Sequence, residues 1–473
     1  MTALSQRANT LAKNTAIFAL GNFGSKLLQI LLVPYYTRVL TSAQFGTADI
    51  LHSAVSLLFP IISLLVYEAV FRFAMDKNQD KTAVFSIGMV VTLTGSAVIV
   101  IIGLIIGFLS NISYLWSVIL SSVFHALRSL YSQYTKAINK TFLFAIDNIL
   151  FTLEVLILNI FFISVFKLGI TGYMLGYTLA NAFSCLFLHL FLKENAKFKI
   201  SSLNLKLFKT LIFYSAPLIL NSVCWWLGNF TSRFVITFYL GVTANGIFTA
   251  SNKIPSLLSV VVSVFFSAWQ ITANNEFESE DSKDFYTKIY NHIFATVITV
   301  ASVLIILCRP ITKIFLGRDF WDSWKYMPTL LIAMSFFAFS QFLGSIYCAN
   351  KKTSMAFLTN LICVIVCVIL NLSLIKPFGI MGCAVATAVS YFFLWISRIL
   401  TTRKILKIKY NFTLSVVAVM ILIVEAVLIS FNIRYCYTIS AIGTVILLFL
   451  FRKIWGQLLM FIFSSLKGKR YAK

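Results

Sequence analysis

Long apolar segments recur along the whole chain, and they constrain its fold more than any other feature. Dividing the sequence at polar clusters and at glycine, proline and asparagine residues gives about fourteen segments. About 20 apolar residues suffice for a helix to cross a bilayer, so we interpret the segments as membrane spans. Charged residues make up only 11% of the chain, against roughly 25% in soluble domains. We therefore predict an all-α polytopic membrane protein, with spans near residues 14–33, 48–71, 83–109, 114–134, 142–166, 169–192, 211–240, 246–271, 290–307, 326–348, 355–375, 379–399, 412–430 and 437–451.

Lysine and arginine residues fall mainly on one side of the predicted membrane. If the N-terminus is placed in the cytoplasm, most basic residues lie in cytoplasmic segments, with Arg128 and Arg398 counted among them. This asymmetry predicts a multi-pass protein of the cytoplasmic membrane with both termini inside. The formal net charge of +24 then reflects membrane topology. Nucleic acid is not an expected partner, because no basic domain or arm is present.

Several stretches of the first half of the chain return in the second half. VLTSAQFGTADILHSAVSLL is followed two hundred residues later by YLGVTANGIFTASNKIPSLL, and KLGITGYMLGYTLANAFS resembles PFGIMGCAVATAVSYFF. The paired residues include Gly46 with Gly246, Asn159 with Asn371, Gly169 with Gly379 and Gly172 with Gly382. With six spans in each half, the halves have the same orientation and a pseudo-two-fold axis along the membrane normal. We predict six-helix lobes at 1–200 and 201–409, a substrate path between them, and two added helices with a basic tail at 410–473.

Three basic residues, Lys26, Arg233 and Lys253, lie inside predicted spans. A cation at that depth is costly unless it faces protein, water or a bound anion. Arg233 precedes Gly241 by eight residues and Lys253 follows Gly246 by seven, so at 1.5 Å per residue both lie roughly 11 Å from the same turn. One interpretation is that the three cations line a cavity for an anionic substrate. The other is that each reaches the membrane surface or pairs with an acid.

Carboxylates and tryptophans inside the spans form a second group of candidates. Asp147 and Glu154 are seven residues apart, so they share one face of the fifth span. Buried carboxylates can bind and release H⁺ or Na⁺, although they can equally balance the charge of the cavity cations. Trp225 and Trp226 lie deep in the seventh span, where they could stack on sugar rings or pack in the core. Glu425, in the added pair, has no partner that the sequence identifies.

Enzyme motifs are not evident in the sequence. The four histidines are scattered, without an HExxH motif or a Ser-His-Asp arrangement. No phosphate-binding P-loop occurs, so we expect no use of ATP. The eight cysteines lack the spacing of a metal site. We therefore predict a protein that is not an enzyme and that has no metal or organic cofactor, with H⁺ or Na⁺ coupling as an open possibility.

The order and spacing of four segments resemble a known family. They are NTAIFALGNFGSKLLQILLVPYYTRVLTSAQFG, YSAPLILNSVCWWLGNFTSRFVITFYLGVTANGIFTASNKIPSLL, FFSAWQ and IFLGRDFWDSWKYMP. On the basis of these four segments, the chain is similar to Wzx-type flippases of the polysaccharide transporter family. This family belongs to the superfamily that also contains MurJ-type lipid II flippases and MATE exporters. The resemblance implies alternating access by a V-shaped, two-lobed bundle.

The resemblance also implies a cargo, an undecaprenyl-diphosphate-linked oligosaccharide that moves from the inner to the outer leaflet of the bacterial cytoplasmic membrane for surface polysaccharide biosynthesis. A polysaccharide polymerase and glycosyltransferases are then expected partners of a monomeric protein. The diphosphate would bind Lys26, Arg233 and Lys253, and MurJ-like relatives imply a path for the lipid tail beside the last two spans.

Three alternative functions remain open. A lipid II flippase would share the fold and an anionic cargo, and a MATE-type cation-coupled multidrug exporter would share the fold alone. A membrane-embedded glycosyl or acyl transferase is the third. The basic residues within the first, seventh and eighth spans favour an anionic cargo over the cationic drugs of an exporter.

Overall fold

The computed structural model describes residues 32–76, 78–276, 281–350 and 353–457, and the regular structure within these ranges is helical. Residues 32–39 form α1. The following helices are α2 Ser42–Ser63, α3 Val66–Ala74, α4 Lys81–Leu109, α5 Leu115–Ala137, α6 Thr141–Asn159, α7 Gly169–Leu192, α8 Leu205–Leu240, α9 Val242–Glu276, α10 Ser282–Phe315, α11 Met327–Ala349, α12 Thr353–Thr402, α13 Phe412–Ser430 and α14 Cys436–Leu450. A π-helix, Ile160–Val165, extends α6, and short 3-10 helices cover Lys193–Ala196, Ile200–Ser202 and Arg318–Lys325.

The helices have the length and composition of membrane spans. Nine helices in the described ranges are long and apolar enough to cross a bilayer, and α14 is a shorter apolar helix. Large apolar side chains on α4, such as Leu104 and Phe108, are exposed, as expected for a surface that faces lipid. The protein is therefore an all-α, multi-span membrane protein. The predicted total of about fourteen spans and the two-fold relation of the halves stay predictions.

The described residues form two compact units, divided after Phe230 within α8. The first unit contains α1 to α7 and the start of α8, and the second contains the remaining helices, including α13 and α14. The predicted division into 1–200, 201–409 and 410–473 stays a prediction. Each unit has its own core. The fully buried side chains of the first core include Val70, Phe85 and Leu130. Those of the second core include Tyr290, Phe339 and Phe342.

The second predicted span is not one continuous helix. Leu64 and Leu65 have left-handed backbone conformations, with φ angles of 47° and 50°, so the span divides into α2 and α3. Pro60 lies in the last turn of α2 and cannot donate a backbone hydrogen bond. Gly95 of α4 packs against this last turn, where an added Cβ would lie 1.9 Å from the Ile62 carbonyl oxygen. The break is therefore packed tightly against a neighbouring helix.

The repeated sequences adopt the same local geometry in both units. Gly169 and Gly379 have φ angles of 55° and 56°, values that side chains disfavour. Gly379 breaks α12 into two helices, as the predicted division between the eleventh and twelfth spans requires. Asn159 and Asn371 are buried, and the Nδ2 of each donates to the carbonyl four residues earlier, at 2.8 and 2.7 Å. The sequence repeat is thus also a repeat of turns and side-chain hydrogen bonds.

Candidate functional site

A buried ion pair lies inside the first unit, between α5 and α6. The Nη2 of Arg128 is 3.1 Å from Oδ2 of Asp147, and Asp147 is completely buried. A carboxylate at this depth needs a counter-charge, because the surroundings cannot solvate it as water does. Arg128 supplies that charge. Its guanidinium also lies 3.7 Å from the centre of the Phe151 ring, which shields the pair on one side.

Neutral hydrogen-bonding groups complete the coordination of this ion pair. Ser184 on α7 accepts from Nε of Arg128 at 2.7 Å and donates to Oδ1 of Asp147. Asn148 accepts from Nη2 of Arg128 at 3.2 Å. Three helices therefore contribute to one compact, charge-neutral group, which we name the Arg128 cluster: Arg128, Asp147, Asn148 and Ser184. The group fixes α5 to α6 and α7 through polar contacts.

A second layer of polar and aromatic side chains lies one turn from the Arg128 cluster. His125 Nδ1 is 3.2 Å from Oδ1 of Asn181 and 3.1 Å from the hydroxyl of Tyr177. Phe59 packs edge-on against the His125 ring with a centroid distance of 4.4 Å, and His52 packs against Tyr177 at 5.1 Å. The polar interior therefore continues from α5 and α7 towards α2.

Glu154 differs from Asp147, although the sequence predicts both on one face of the fifth span. Both lie on α6, and Glu154 is close enough to Asp147 and Arg128 for electrostatic interaction with each. Its Oε2 is buried, yet it has no hydrogen-bond partner among the residues that the structure describes. Asp147 thus has its partners in place, whereas Glu154 presents an oxygen that can accept a proton, a cation or an Arg128 N–H.

The second unit also contains a buried arginine, Arg398 on α12. Its guanidinium donates to the Ser340 carbonyl oxygen at 2.6 Å, to Oδ1 of Asn360 at 3.0 Å and to the Thr359 hydroxyl at 3.4 Å. We name these residues the Arg398 cluster. Gly344 lies against the guanidinium, and a Cβ added there would be 2.7 Å from Nη1. This arginine is therefore held between α11 and both parts of α12.

The two clusters occupy corresponding positions of the repeat. Asp147 and Asn148 come shortly before Asn159 in the first unit. Thr359 and Asn360 come before its repeat partner, Asn371, at the same separations in sequence. The arginine in the first unit comes from α5, whereas the arginine in the second comes from the end of α12. The two units therefore share the pair of positions that accept hydrogen bonds from the arginine, which we name the receiving positions. The first of them is an aspartate in the first unit and a threonine in the second.

Two arginines that the sequence analysis assigned to cytoplasmic segments, Arg128 and Arg398, lie among the helices of their units. Arg398 is buried and the side chain of Arg128 is 11% exposed. The side of the membrane on which they lie stays a prediction. Arg128 lies six residues and Arg398 one residue before the ends of the predicted spans 114–134 and 379–399, so the count of charges by side placed both with the loops although both are inside predicted spans. The available signal was the position of Asp147 in an apolar run, since a buried acid requires a nearby cation.

The predicted cavity cations lie in different parts of the chain. Lys26 lies outside the described residues. Arg233 on α8 and Lys253 on α9 are half-buried residues of the second unit. Arg233 interacts electrostatically with Tyr391 on α12. The role of these cations in binding a substrate stays a prediction.

The two predicted sugar-contacting tryptophans are described to different extents. The side chain of Trp225 lies outside the described part of the structure. Trp226 donates its indole N–H to the Ser53 carbonyl oxygen at 2.9 Å, and its ring packs against Phe230 with a centroid distance of 5.6 Å. These contacts show Trp226 in a packing role within the first unit, and contact with a sugar stays a prediction.

Glu425, for which the sequence offered no partner, is buried in the second unit. Its Oε1 accepts from Ser302 of α10 at 3.0 Å, and Ser302 lies 2.6 Å from the Thr444 hydroxyl of α14. Gly443 packs against the same carboxyl group, where an added Cβ would be 2.5 Å from Oε1. Glu425 therefore joins α13 to α10 and α14. No group of three or more His, Cys, Asp or Glu residues that could hold a metal occurs in the described ranges.

Comparisons with known proteins agree with this architecture. Residues 11–270 match the model of a family described as "Polysaccharide biosynthesis protein". A search of curated proteins finds no match. The solved structures that are similar to the chain include the following three. The first is lipid II flippase MurJ in an inward closed conformation, at 14% identity with a TM-score of 0.71 over 94% of this chain and all of that one.

The other two structures are more distant. An inward-facing MATE family multidrug resistance transporter of the MOP superfamily is 12% identical, with a TM-score of 0.61 over 80% of this chain and 98% of that one. A MOP superfamily transporter from Pyrococcus furiosus is also 12% identical, with a TM-score of 0.51 over 83% and 95% of the two chains. At these identities the likeness shows the fold. Because the family match spans more than half of this chain, the chain belongs to the family described as "Polysaccharide biosynthesis protein".

Proposed function

We propose that the protein is a flippase that moves a polyprenyl-diphosphate-linked oligosaccharide from the inner to the outer leaflet of the cytoplasmic membrane by alternating access. The family match over residues 11–270 carries this proposal, since the family serves polysaccharide biosynthesis. The fold likeness to a lipid II flippase supports a lipid-linked cargo. Undecaprenyl is the polyprenyl group that we propose, and both termini would be cytoplasmic.

The anionic cargo needs cations inside the protein. A diphosphate carries negative charge into a region of low dielectric constant, where an unpaired charge is very costly. We propose that Lys26, Arg233 and Lys253 bind this group. The Arg128 cluster is not part of the proposed diphosphate site, because its arginine is already neutralised by Asp147 at 3.1 Å.

Ion coupling is the second part of the proposal, and Glu154 is its central residue. The buried Oε2 of Glu154 has no hydrogen-bond partner among the described residues, whereas Asp147 accepts from both Arg128 and Ser184. A buried ionisable group in a membrane helix is a reason to expect a transport role. We propose that Glu154 binds H⁺ or Na⁺, and that Arg128 interacts with the Glu154 carboxylate after the ion has left. Asp147 keeps the guanidinium in place.

Transport by purified protein in liposomes tests the cargo. The assay compares a fluorescent polyprenyl-diphosphate oligosaccharide, fluorescent lipid II and a cationic dye, in wild type and in Lys26→Ala. Lys404→Ala is the matched control, because Lys404 is an exposed loop residue that lies outside the predicted spans. We expect movement of the lipid-linked oligosaccharide, its loss in Lys26→Ala and wild-type rates in the control.

Other outcomes would change either the assigned cargo or the assigned binding residue. Preferential movement of lipid II would make the protein a lipid II flippase, with the same requirement for cations. Dye efflux without movement of either lipid would contradict the proposal and indicate a multidrug exporter. Wild-type lipid transport by Lys26→Ala would remove that residue from the proposed site.

A further inference from the structure

A long groove lies on the second unit, between the end of α12 and the start of α13, with a volume of about 1190 Å³. One wall is a stripe on α12 that continues into the turn after it: Phe392, Trp395, Ile396, Ile399, Leu400 and, in the turn, Arg403. These residues follow the i, i+3, i+4, i+7 spacing of one helix face. The opposite wall follows the same spacing on α13, from Phe412 to Ile423. One face of each helix therefore contributes mainly apolar residues to the same groove.

The floor of the groove is fixed by an aromatic group. Trp395 donates its indole N–H to the Tyr290 hydroxyl at 3.1 Å, and the Tyr290 ring packs edge-on against Tyr410 at a centroid distance of 5.2 Å. Tyr290 and Trp395 are buried. The groove is thus backed by a rigid, preformed surface.

The mouth of the groove is basic. Lys283, Arg403, Lys407 and Lys409 line it, and all four are exposed. Four of the described residues that line the groove are basic and none is acidic, and Asp284 lies 3.3 Å from the ammonium of Lys409. The described lining of the mouth is therefore positively charged. Basic pockets at the ends of membrane helices are suited to the headgroups of anionic lipids.

The length of the groove limits what can occupy it. Phe412 and Ile423 are eleven residues apart on α13, which corresponds to roughly 17 Å along the helix. This distance is about half of the roughly 30 Å hydrocarbon core of a bilayer. An occupant with its headgroup at the basic mouth would thus have its tail within a single leaflet.

We propose that this groove is a binding site for an anionic phospholipid of the leaflet that contacts the 403–410 loop, predicted to be the cytoplasmic one. The phosphate binds among the four cations, and an acyl chain lies between α12 and α13. The site is separate from the proposed transport of lipid-linked oligosaccharide, and it would keep its lipid whether or not the protein is a flippase.

Fluorescence quenching tests this proposal, because Trp395 lines the groove. The full-length protein is reconstituted in phosphatidylcholine with increasing fractions of brominated phosphatidylglycerol or brominated phosphatidylcholine. The Trp395 signal is the difference between wild type and Trp395→Phe. We expect stronger quenching by brominated phosphatidylglycerol, and a preference that falls as salt is raised.

Charge variants sharpen the test. Arg403→Ala and Lys407→Ala should each lower the preference for phosphatidylglycerol about fivefold, since a basic residue near an anionic surface contributes about 1 kcal/mol. Lys404→Ala is the matched control, because Lys404 is exposed in the same loop but does not line the groove. Unchanged preference in the control and reduced preference in both variants would support the site.

Two results would overturn the proposal. Equal quenching by the two brominated lipids would show ordinary contact with bulk lipid. Displacement of brominated phosphatidylglycerol by a small fraction of polyprenyl phosphate, with no effect of Arg403→Ala, would show that the groove holds the polyprenyl tail instead.

Discussion

The Arg128 and Arg398 clusters place a guanidinium against the same two positions of a repeated helix, yet the first of these positions is an aspartate in one unit and a threonine in the other. In the first unit those positions are Asp147 and Asn148, and the arginine forms an ion pair at 3.1 Å. In the second unit they are Thr359 and Asn360, and Arg398 donates to both of them and to the Ser340 carbonyl oxygen. Both halves of the repeat thus bind an arginine at the same two positions, but the side chain that accepts its hydrogen bond differs.

This difference indicates a division of roles between the units. Two carboxylates lie near the arginine of the first cluster. Asp147 belongs to the cluster, and Glu154 lies beside it and has an oxygen without a hydrogen-bond partner in the described ranges. Such a group can change partners when it gains or loses a cation. In the second cluster, Gly344 and the Ser340 carbonyl contact the guanidinium of Arg398, and neither group can titrate. We therefore interpret the first cluster as functional and the second as a structural contact between helices.

Removing Asp147 should give the largest effect on stability. Asp147→Ala leaves Arg128 buried without its carboxylate, and breaking a buried pair costs about 3–5 kcal/mol. We expect a large fall in the apparent melting temperature of the purified protein in detergent. The double variant Arg128→Met with Asp147→Leu removes both charges and should recover most of the loss. Wild-type stability of Asp147→Ala would contradict the structural importance of the ion pair.

Gly344→Ala should have an intermediate effect, confined to the second cluster. The new Cβ would lie 2.7 Å from Nη1 of Arg398, and overpacking typically costs about 1–3 kcal/mol. The melting temperature is the measurement. Gly107→Ala is the control, because its Cβ would meet Leu115 at an ordinary 3.8 Å. Equal melting temperatures for the two variants would show that the guanidinium is not tightly packed there.

Thr359→Val should have the smallest effect of the three. It removes one long hydrogen bond to Arg398, of 3.4 Å, and a net contribution of about 1 kcal/mol is typical of such a bond. The same melting experiment applies. A loss as large as that of Asp147→Ala would show that the two receiving positions are equally important, and the proposed division of roles would fail.

Much of the fold follows from local patterns in the sequence. The apolar runs identified α13 at its observed bounds, and the paired Gly169 and Gly379 marked two equivalent turns. The left-handed conformations of Leu64 and Leu65 were not predicted from the sequence, because they depend on backbone hydrogen bonds to Ile61 and Pro60 and on packing against Gly95. Tertiary contacts, which local hydropathy does not encode, thus contribute to the break between α2 and α3.

The candidate site was predictable in part. Asp147 and Glu154 stood out as acids inside an apolar run, and their shared helix face is consistent with their common proximity to Arg128. Arg128 itself was not singled out, because the sequence analysis counted it with the cytoplasmic segments although it lies inside the predicted span 114–134. The different states of the two carboxylates depend on Ser184, which lies on another helix and has no distinguishing signal in the sequence.

The most direct test of this account is gradient-driven transport of the lipid-linked oligosaccharide in liposomes, measured for wild type, Glu154→Gln and Thr359→Val under an imposed H⁺ or Na⁺ gradient. Glutamine keeps the size of the Glu154 side chain but cannot take up a proton or carry a negative charge. We expect Glu154→Gln to lose the response to the gradient while its melting temperature stays near that of wild type, and Thr359→Val to retain the response. A full response to both gradients in Glu154→Gln would contradict the proposal that the first cluster couples an ion to transport.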